Sequence, residues 1–362
     1  MRIASFNVEN LFSRARVLNF RNNDTIAEKL AIIGQLQDKL QEDVYDKSAI
    51  LALYKQVSDF IEIQENKGKL FKRSGRKIIG VAANGRDAWD GAIAFKREDF
   101  SQMARSVTAR VIKEMKPDIV SLVEVEDRLT LKDFCGALLS TALNKFPYNI
   151  CIDGNDPRGI DVALLSKFPI KNLRTHIFDK ETPQSRSYVF SRDCLEIELE
   201  ISAGNSLHIL CNHLKSKLST SAGDSGNSRR KMQAQQIAKI LTTNYDLSKD
   251  LVIVAGDFND TPDSAPLKPL LKTPNLFDVL QLQFGDDRFK RWSYFYQSQY
   301  NQIDYILVST PLKEKFKAAG VERGGLFDIE KQTKAGEKRF KEITTYKDAA
   351  SDHAGIWAEF DL

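Results

Sequence analysis

The sequence predicts an α/β protein, and two patterns predict this class. The first is a strand at residues 251–256, where six apolar residues follow one another without a polar interruption. Such a run is typical of a strand that is buried on both faces, inside a sheet covered by other layers. The second is alternation, because segments with helical periodicity at 98–116, 131–145 and 229–242 separate further apolar strands.

Composition restricts the class of protein further. The chain has 362 residues, of which 42% are hydrophobic and 28% charged, as in folded globular proteins and unlike disordered ones. The formal net charge of +4 is too small to indicate a nucleic-acid partner by itself. The four cysteines, Cys135, Cys151, Cys194 and Cys211, have no metal-type spacing and lie in apolar stretches, which favours buried thiols in a reducing compartment.

No targeting or membrane segment is predicted. The chain starts directly with a strand, without an apolar signal region, and it has no apolar run of about 18 residues. We therefore expect a cytoplasmic protein that does not associate with membranes. A secreted mature form that has lost its signal peptide is the alternative.

The first hundred residues begin with a strand and continue with a mainly helical segment. Alternation places Ile3, Ser5 and Asn7 on one face of a strand at 2–8. Residues 24–64 have helical periodicity, and we expect two or three helices that pack on each other. The stretch 67–77 holds six cations and no acid, in a sequence that suits a hairpin tip. It is either an arm that contacts phosphate groups or a solvated loop.

Strands in the rest of the chain end or begin next to polar residues. Pro117 ends the helix at 98–116, and the strand 118–123 then leads into Glu124. Alternation in the strand 205–212 directs His213 out of its end. The other strands predicted after residue 118 are 148–152, 160–166, 188–200, 251–256, 302–309 and 351–360.

Residues 288–296 mix cations with aromatic side chains. Trp292 or Tyr294 in this stretch has the chemistry to stack on a nucleic-acid base. The alternative is that these aromatics belong to a strand packed in the sheet core.

Polar side chains at six or more separate strand ends form one candidate site. Strand ends are where such sheets usually display their functional groups. Oxygen ligands with few nitrogens suit Mg²⁺ or Mn²⁺, and the absence of Cys–His spacing argues against a structural zinc. By itself, the pair Asp257 and Asn259 is equally consistent with an Asx turn, and we expect His176 and His208 to be structural. The candidate residues are Asn7, Glu9, Glu124, His213, Asp257, Asn259, Asp304, Asp352 and His353.

The motifs around these residues resemble the endonuclease/exonuclease/phosphatase superfamily, which includes deoxyribonuclease I, apurinic endonucleases, inositol-phosphate phosphatases and bacterial sphingomyelinases. The resembling segments are 6–11, 123–125, 212–216, 256–259, 303–306 and 351–353, in the family's order, so that the resemblance spans residues 3–360. It implies a deoxyribonuclease I-like four-layer α/β sandwich, with two packed mixed sheets flanked by helices. Residues 158–166 and the helix with Arg229, Arg230 and Gln233 look most like a bacterial nuclease-type branch. We expect one domain over 1–362, with a helical and basic-hairpin insertion at about 13–90 that minimal members lack.

The resemblance also implies a role for each candidate residue. Glu124 resembles the principal metal carboxylate, with Asn7, Asp352 and Glu9 beside the metal, although Glu9 stands where some relatives have Asp. His353 resembles the general base or phosphate-polarising imidazole, oriented by Asp304. Asp257 would orient or deprotonate the attacking water, and Asn259 would donate a hydrogen bond to a phosphoryl oxygen. His213 resembles a second imidazole near the leaving group. Arg158, Lys215 and Arg229 would contact phosphate groups; the alternative for these three is a salt bridge or a surface cation.

The first functional hypothesis is a Mg²⁺-dependent nuclease that hydrolyses DNA or RNA by direct attack of a metal-assisted water. No Ser or Cys nucleophile with an adjacent base is evident, so we expect no covalent intermediate. One alternative is a phosphatase or phosphodiesterase of small phosphoesters or lipid head groups. Another is a non-catalytic binding protein on the same fold. None of these readings implies an obligate protein partner.

Overall fold

The computed structural model describes residues 1–11, 13–18, 23–75, 77–99, 102–156, 158–185, 187–217, 226–332 and 336–362. The chain divides into two compact units. The core unit comprises Met1–Phe12, Phe100–Lys215 and Asn227–Leu362. The insertion unit comprises Ser13–Asp99 with Ser216–Gly226. The single-domain interpretation stays a prediction.

The described chain forms both strands and α-helices along most of its length. The strands are β1 (Arg2–Leu11), β2 (Ser13–Ala15), β3 (Ile61–Gly68), β4 (Phe71–Ser74), β5 (Lys77–Val81), β6 (Trp89–Phe95), β7 (Arg97–Asp99), β8 (Ile119–Val125), β9 (Tyr148–Ile152), β10 (Asp161–Ser166), β11 (Ile170–Arg174), β12 (Cys194–Ser202), β13 (Asn205–His213), β14 (Val252–Asp257), β15 (Leu276–Asp278), β16 (Tyr294–Tyr296), β17 (Gln299–Asn301), β18 (Asp304–Ser309), β19 (Phe316–Glu322) and β20 (Gly355–Phe360). The helices are α1 (Asn23–Lys39), α2 (Lys47–Val57), α3 (Gln102–Met115), α4 (Arg128–Leu138), α5 (Asn227–Asn244), α6 (Lys268–Leu271), α7 (Val279–Phe284), α8 (Arg288–Arg291), α9 (Thr310–Glu314) and α10 (Ile329–Gln332).

The core unit contains two six-stranded mixed sheets. The first has the order β19-β20-β1-β8-β10-β9, in which β1 and β8 are parallel and the other neighbours antiparallel. The second has the order β11-β12-β13-β14-β18-β15, in which β13 and β14 are the parallel pair. The strand at 251–256 is therefore central in its sheet, as its unbroken apolar sequence predicts.

Three apolar clusters stack the core unit into four layers. Side chains of both sheets, such as Ile3 and Leu164 from the first and Ile209 and Ile253 from the second, share one fully buried cluster. The outer face of the first sheet packs on α3 and α4, and the outer face of the second packs on α5. The order helix, sheet, sheet, helix confirms the predicted sandwich. Alternation in β1 is confirmed too, because Ile3 faces the second sheet while Phe6 faces the helices.

Several predicted boundaries are wrong. The helix predicted at 98–116 begins at Gln102, because Arg97–Asp99 pair with Ser13–Ala15 as a strand. The final strand predicted at 351–360 begins at Gly355. The helix predicted at 131–145 ends at Leu138, because Leu143, which would continue the apolar stripe, is 83% exposed and has nothing to pack on. The strand predicted from 188 starts at Cys194, since side-chain hydrogen bonds of Arg192 and Asp193 occupy the preceding turn. Helical periodicity predicted up to residue 64 ends earlier, and Ile61 begins β3, where it faces the insertion-unit core.

The insertion unit has an apolar core of its own. Its members include Leu36 of α1, Ile50 of α2, Ile61 of β3 and Phe71 of β4, so the two predicted helices do pack on each other. Strands β4 and β5 form the predicted basic hairpin, with a left-handed turn residue at Gly75 (φ 56°). Arg76 and residues 218–225 of the Ser/Gly-rich loop lie outside the described residues.

Trp292 is not available to stack on a base, so that interpretation is wrong for this side chain. Its ring is 1% exposed, with the Arg323 guanidinium 4.3 Å from the ring centroid and Tyr300 at 5.6 Å. It belongs to a small buried cluster beneath the hairpin β16–β17 and not to either large sheet. Within the described chain, no helix is both long enough and apolar enough to cross a membrane.

Candidate active site

Three neighbouring strands of the second sheet bring three candidate residues to one edge. In the parallel pair β13–β14, His213 is in register with Asp257. In the antiparallel pair β14–β18, Asp257 is in register with Asp304. The imidazole Nε2 of His213 lies 3.7 Å from Oδ2 of Asp257. The strand register therefore fixes this part of the site.

The first sheet contributes residues from the adjoining ends of β1 and β8. Asn7 is in register with Val123, which precedes Glu124. The side-chain amide of Asn7 donates to Oδ2 of Asp257 over 3.1 Å, and Oε1 of Glu124 lies 3.9 Å from Nε2 of His213. Side chains from both sheets thus meet at one rim, although Asn7 and Asp257 are 250 positions apart.

His353 enters the site from the loop before β20. Its Nδ1 lies 2.8 Å from Oδ2 of Asp304, and its Nε2 lies 3.9 Å from Oδ2 of Asp257 and from Oδ1 of Asp352. The Asp304 carboxylate also accepts a 2.6 Å hydrogen bond from Oγ of Ser293. An imidazole held at Nδ1 by a carboxylate is fixed in one orientation, with Nε2 directed at the centre.

Asp257 is held by the turn that follows β14. Its Oδ1 accepts from the backbone N–H of Asn259 over 2.7 Å, and its Oδ2 accepts from the Asn259 side chain over 3.0 Å. The same side chain donates to the Leu214 carbonyl. The Asx turn that the sequence left open as an alternative is therefore present. The same turn anchors the Asp257 carboxylate, which contacts Asn7 and faces His213 and His353.

The two site histidines have opposite electrostatic surroundings. Burial lowers the pKa of His353, but Asp304 and Asp257 outweigh burial and raise that pKa well above its usual range. Burial and the nearby Arg192 and Arg158 lower the pKa of His213 well below its usual range. These surroundings therefore favour the imidazolium form at His353 and the neutral imidazole at His213.

Three candidate residues have a strained backbone. Glu9, Glu124 and Asn259 have φ values of 51°, 66° and 54°, in the left-handed region that non-glycine residues rarely adopt. Such strain costs free energy and persists where the surrounding structure imposes it, which happens most often at functional sites. Its coincidence with the residues chosen from strand ends supports the location of the site.

The acidic residues have the chemistry of a divalent-metal site. Burial raises the pKa of Glu124; Arg158 opposes this shift and Asp352 adds to it. Burial also raises the pKa of Asp257, His353 opposes that shift, and Asp304 adds to it. Adjacent buried carboxylates are costly without a cation, and Mg²⁺ needs one or two carboxylates with open positions for water and substrate. The donor set therefore fits a hard divalent cation. Among the described residues, Asp257, Asp304 and His353 also have potential ligand atoms within 4.8 Å of one another.

The predicted cations differ in their placement. Arg158 forms a two-point ion pair with Asp156, at 3.0 and 2.8 Å, while its charge still acts on Glu124. Lys215 follows the His213 strand, and burial together with Arg192 lowers the pKa of its ammonium to about 8. Arg229 is half-buried on the first turn of α5 and is influenced by Glu181, outside the candidate set.

Sequence reasoning missed Arg192. This side chain is 1% exposed, donates to the Leu214 carbonyl over 2.6 Å, and pairs with Asp156 at 3.3 Å. It fixes the turn after His213, and its charge reaches Glu124 and Asp257. Its sequence position gave no signal, because no strand end or motif marks it. Sequence reasoning also missed Ser293. No local pattern marks this residue, and only its contact with Asp304 in the folded structure identifies it.

The family model described as Endonuclease/Exonuclease/phosphatase family matches residues 102–353, which is more than half of the chain. The chain belongs to this family. It is a phosphoester-hydrolysing enzyme with a deoxyribonuclease I-like fold, and members of the family typically use a divalent metal ion.

Several solved structures are similar to the chain. D. rerio TDP2 complexed with single strand DNA product is 17% identical, with a TM-score of 0.49, and the similarity covers 72% of this chain and 94% of that one. An endonuclease/exonuclease/phosphatase from Bacteroides vulgatus is 15% identical, with a TM-score of 0.49 and coverage of 72% and 91%, and beta toxin from Staphylococcus aureus is 18% identical, with a TM-score of 0.49 and coverage of 72% and 94%. No curated protein sequence matches the chain significantly.

Proposed function

We propose that this family member is a phosphodiesterase that depends on Mg²⁺ or Mn²⁺ and hydrolyses nucleic acid, DNA or RNA. The observation that carries the proposal is the meeting of Glu124, Asp257 and His353 at one rim, with Nε2 of His353 and the buried Asp257 carboxylate facing each other at 3.9 Å. This arrangement brings a candidate proton donor, a candidate proton acceptor and metal-type ligands together.

The metal would be held by Glu124 and Asp352, with Asn7 and Glu9 beside it. Bound there, it would supply charge stabilisation at the phosphoryl oxygens. Asn7 also donates to Asp257, so the same side chain ties the metal side of the site to the carboxylate that acts on water.

Asp257 is proposed to orient the attacking water and accept its proton. A carboxylate whose pKa is raised by burial is a stronger base than an exposed one, which suits this role. Asn259 holds Asp257 in place and is proposed to donate to a phosphoryl oxygen as substrate binds. Direct attack by water needs no covalent intermediate.

The two histidines are proposed to divide the remaining work. His353, kept protonated by Asp304, directs its Nε2–H at the phosphate and polarises it. His213, kept neutral by burial and Arg192, serves near the leaving group. Arg158, Lys215 and Arg229 are the proposed phosphate contacts.

The cytoplasmic location also stays a prediction.

The test is a substrate panel assayed with and without metal. Purified protein is incubated with plasmid, single-stranded DNA, RNA and a small aryl phosphodiester, and in parallel with phosphoinositides, sphingomyelin and nucleotides, in EDTA and then in Mg²⁺ or Mn²⁺. We expect cleavage of polynucleotide and of the small diester that EDTA abolishes and added metal restores. If phosphoinositides, sphingomyelin or nucleotides are cleaved and no polynucleotide is, the nuclease proposal is wrong and the small-phosphoester alternative replaces it.

A further inference from the structure

The basic hairpin β4–β5 of the insertion unit is a concentrated positive surface outside the catalytic site. Lys72, Arg73 and Lys77 are all exposed. Among the described residues, none of these three has a hydrogen-bonded or ion-paired acidic partner. The sequence from Asn66 to Gly85 contains no acid. Surface cations on globular proteins are usually interspersed with acids, so an acid-free hairpin is a feature that needs a physical reason.

The base of the hairpin is packed into the core of the insertion unit, which holds its charged side chains at a defined place on that unit. Leu70 and Phe71, at its base, are buried in the insertion-unit core, and the rings of Tyr54 and Phe71 lie 4.6 Å apart. The Glu65 carboxylate accepts a 2.7 Å hydrogen bond from the backbone of Leu70, and it also neutralises Lys69 at 3.0 Å. The base is thus anchored and locally neutral, and the unneutralised cations lie from Lys72 towards the tip.

We propose that this hairpin binds the phosphate backbone of a polynucleotide and recruits it to the enzyme. A group of cations that lacks internal acidic partners gains most from a polyanion, because each phosphate contact releases a condensed counterion. The proposal rests on the proposed phosphodiesterase function and adds to it the part of the chain that selects long substrates. It gives the insertion a role that the catalytic site does not supply.

An anionic membrane is the competing partner for a basic arm, and the composition of the hairpin disfavours it. Among its described residues, the large apolar side chain that is strongly exposed is Ile79, at 62%. Ser74 ends β4 and Gly75 follows it in the turn, whereas membrane-binding elements carry several apolar or aromatic side chains for insertion.

The test measures binding by the full chain in EDTA, where cleavage is prevented. Fluorescence anisotropy follows labelled single-stranded DNA, duplex DNA and RNA at several salt concentrations, and co-sedimentation follows binding to phosphatidylserine vesicles. The variant Lys72→Gln/Arg73→Gln/Lys77→Gln removes three charges and keeps the side-chain bulk. Its matched control is Lys239→Gln/Lys272→Gln/Lys315→Gln, which removes three exposed cations of the core unit. Thermal unfolding of both variants is measured to establish that they remain folded.

We expect the hairpin variant to bind at least about tenfold more weakly at 0.1 M salt, with a salt dependence (log K against log salt) shallower by about 2 to 3. Turnover of the small aryl diester should be unchanged, and the control variant should bind like the unmodified chain. Equal affinity and slope in the hairpin variant, or a hairpin-dependent preference for phosphatidylserine vesicles over polynucleotide, would overturn the proposal.

The two proposals fail in different ways. A chain that cleaves the small diester but binds no polynucleotide refutes the hairpin proposal and leaves the phosphodiesterase function intact. A chain that binds polynucleotide through the hairpin but cleaves no phosphodiester refutes the proposed catalytic function alone.

Discussion

At the residue scale, the site depends on how each titratable group is surrounded. His213 and His353 are both buried and both face Asp257, yet their neighbours shift the two pKa values in opposite directions. The difference comes from charged neighbours: the Asp304 carboxylate, 2.8 Å from Nδ1, acts on His353 together with Asp257 and Asp352. On His213, by contrast, the guanidinium groups of Arg192 and Arg158 act together with burial. Burial alone lowers the pKa of any imidazole, so the specific neighbours decide which histidine is the proton donor.

Replacing either central group should nearly abolish turnover. We expect Asp257→Ala and His353→Ala each to lower kcat by about 100-fold or more, because each is proposed to act in general acid–base catalysis. His208→Ala is the matched control, since His208 packs on Tyr245 with ring centroids 4.9 Å apart, outside the candidate set. The measurement is steady-state hydrolysis of a small aryl diester with metal present. A loss of only a few-fold in both variants would return the binding-protein hypothesis to consideration.

Ser293 is expected to act as a positioning residue for the Asp304–His353 pair. Ser293→Ala removes the 2.6 Å hydrogen bond to Asp304, which leaves that carboxylate less firmly held. We expect kcat to fall about tenfold, the scale of one hydrogen bond to a charged group. The pH profile of kcat should also move, since a weaker Asp304–His353 contact lowers the pKa of His353. Ser206→Ala, which loses a bond to Glu198 on a distant strand, should change neither.

Asp161 should make stability depend on pH in a predictable direction. Burial raises the pKa of this carboxyl to about 7, although the Gly154 N–H opposes the shift. The folded state therefore binds this proton more tightly than the unfolded state does. The contribution of Asp161 to the free energy of unfolding is greatest below about pH 4 and is lost as the pH rises towards 7.

The variant Asp161→Asn tests this sign. An amide oxygen can keep the 2.7 Å bond from Gly154 without the cost of ionisation. We expect Asp161→Asn to unfold with a free energy about 1–4 kcal/mol higher than the unmodified chain at pH 8, and with little difference near pH 4. Denaturant unfolding at both pH values measures it, with exposed Asp133→Asn as the control. A difference that is larger at the lower pH contradicts the assignment.

At the element scale, close pairing of β13 and β14 positions the catalytic edge. Gly256 has φ 137°, and a Cβ at this position would lie 1.8 Å from the Asn212 carbonyl oxygen. No side chain fits there, so glycine is required one residue before Asp257 for the strands to remain in register with His213.

Gly256→Ala should therefore disrupt both stability and activity. The strands must separate or Gly256 must change conformation, and either movement displaces Asp257. We expect a loss of about 2 kcal/mol or more in the free energy of unfolding, and at least a tenfold loss of kcat in the folded fraction. Gly136→Ala in α4, where a Cβ meets nothing within 4 Å, should be neutral or slightly stabilising.

At the scale of the whole molecule, the insertion leaves and rejoins the core unit through paired strands. Ser13 and Asp99 are opposite each other in the antiparallel pair β2–β7, so their Cα atoms are about 5 Å apart. Both catalytic sheets and all the candidate catalytic residues belong to the core unit. The insertion unit is therefore an addition to a core unit that already contains both six-stranded sheets and all the candidate residues.

Excision of residues 14–98 tests this division, with the second segment of the insertion unit, Ser216–Gly226, left in the chain. Joining Ser13 to Asp99 through two glycines should leave a chain that folds and hydrolyses the small aryl diester within about fivefold of the original kcat/KM, under about 1 kcal/mol in transition-state free energy. Circular dichroism, thermal unfolding and diester turnover provide the measurements. A chain that cannot fold after excision would show that the core unit depends on residues 14–98.

The sequence by itself determined the α/β class, the central strand and the family, because these depend on local periodicity and on short motifs next to strand ends. It also located the rim, since Glu124, His213, Asp257 and His353 each adjoin a strand. Only the tertiary structure decided which histidine is charged, that Trp292 is buried, and that Arg192 and Ser293 support the site. Those properties depend on contacts between distant positions, such as Asp304 with His353, and on burial, neither of which a local pattern records.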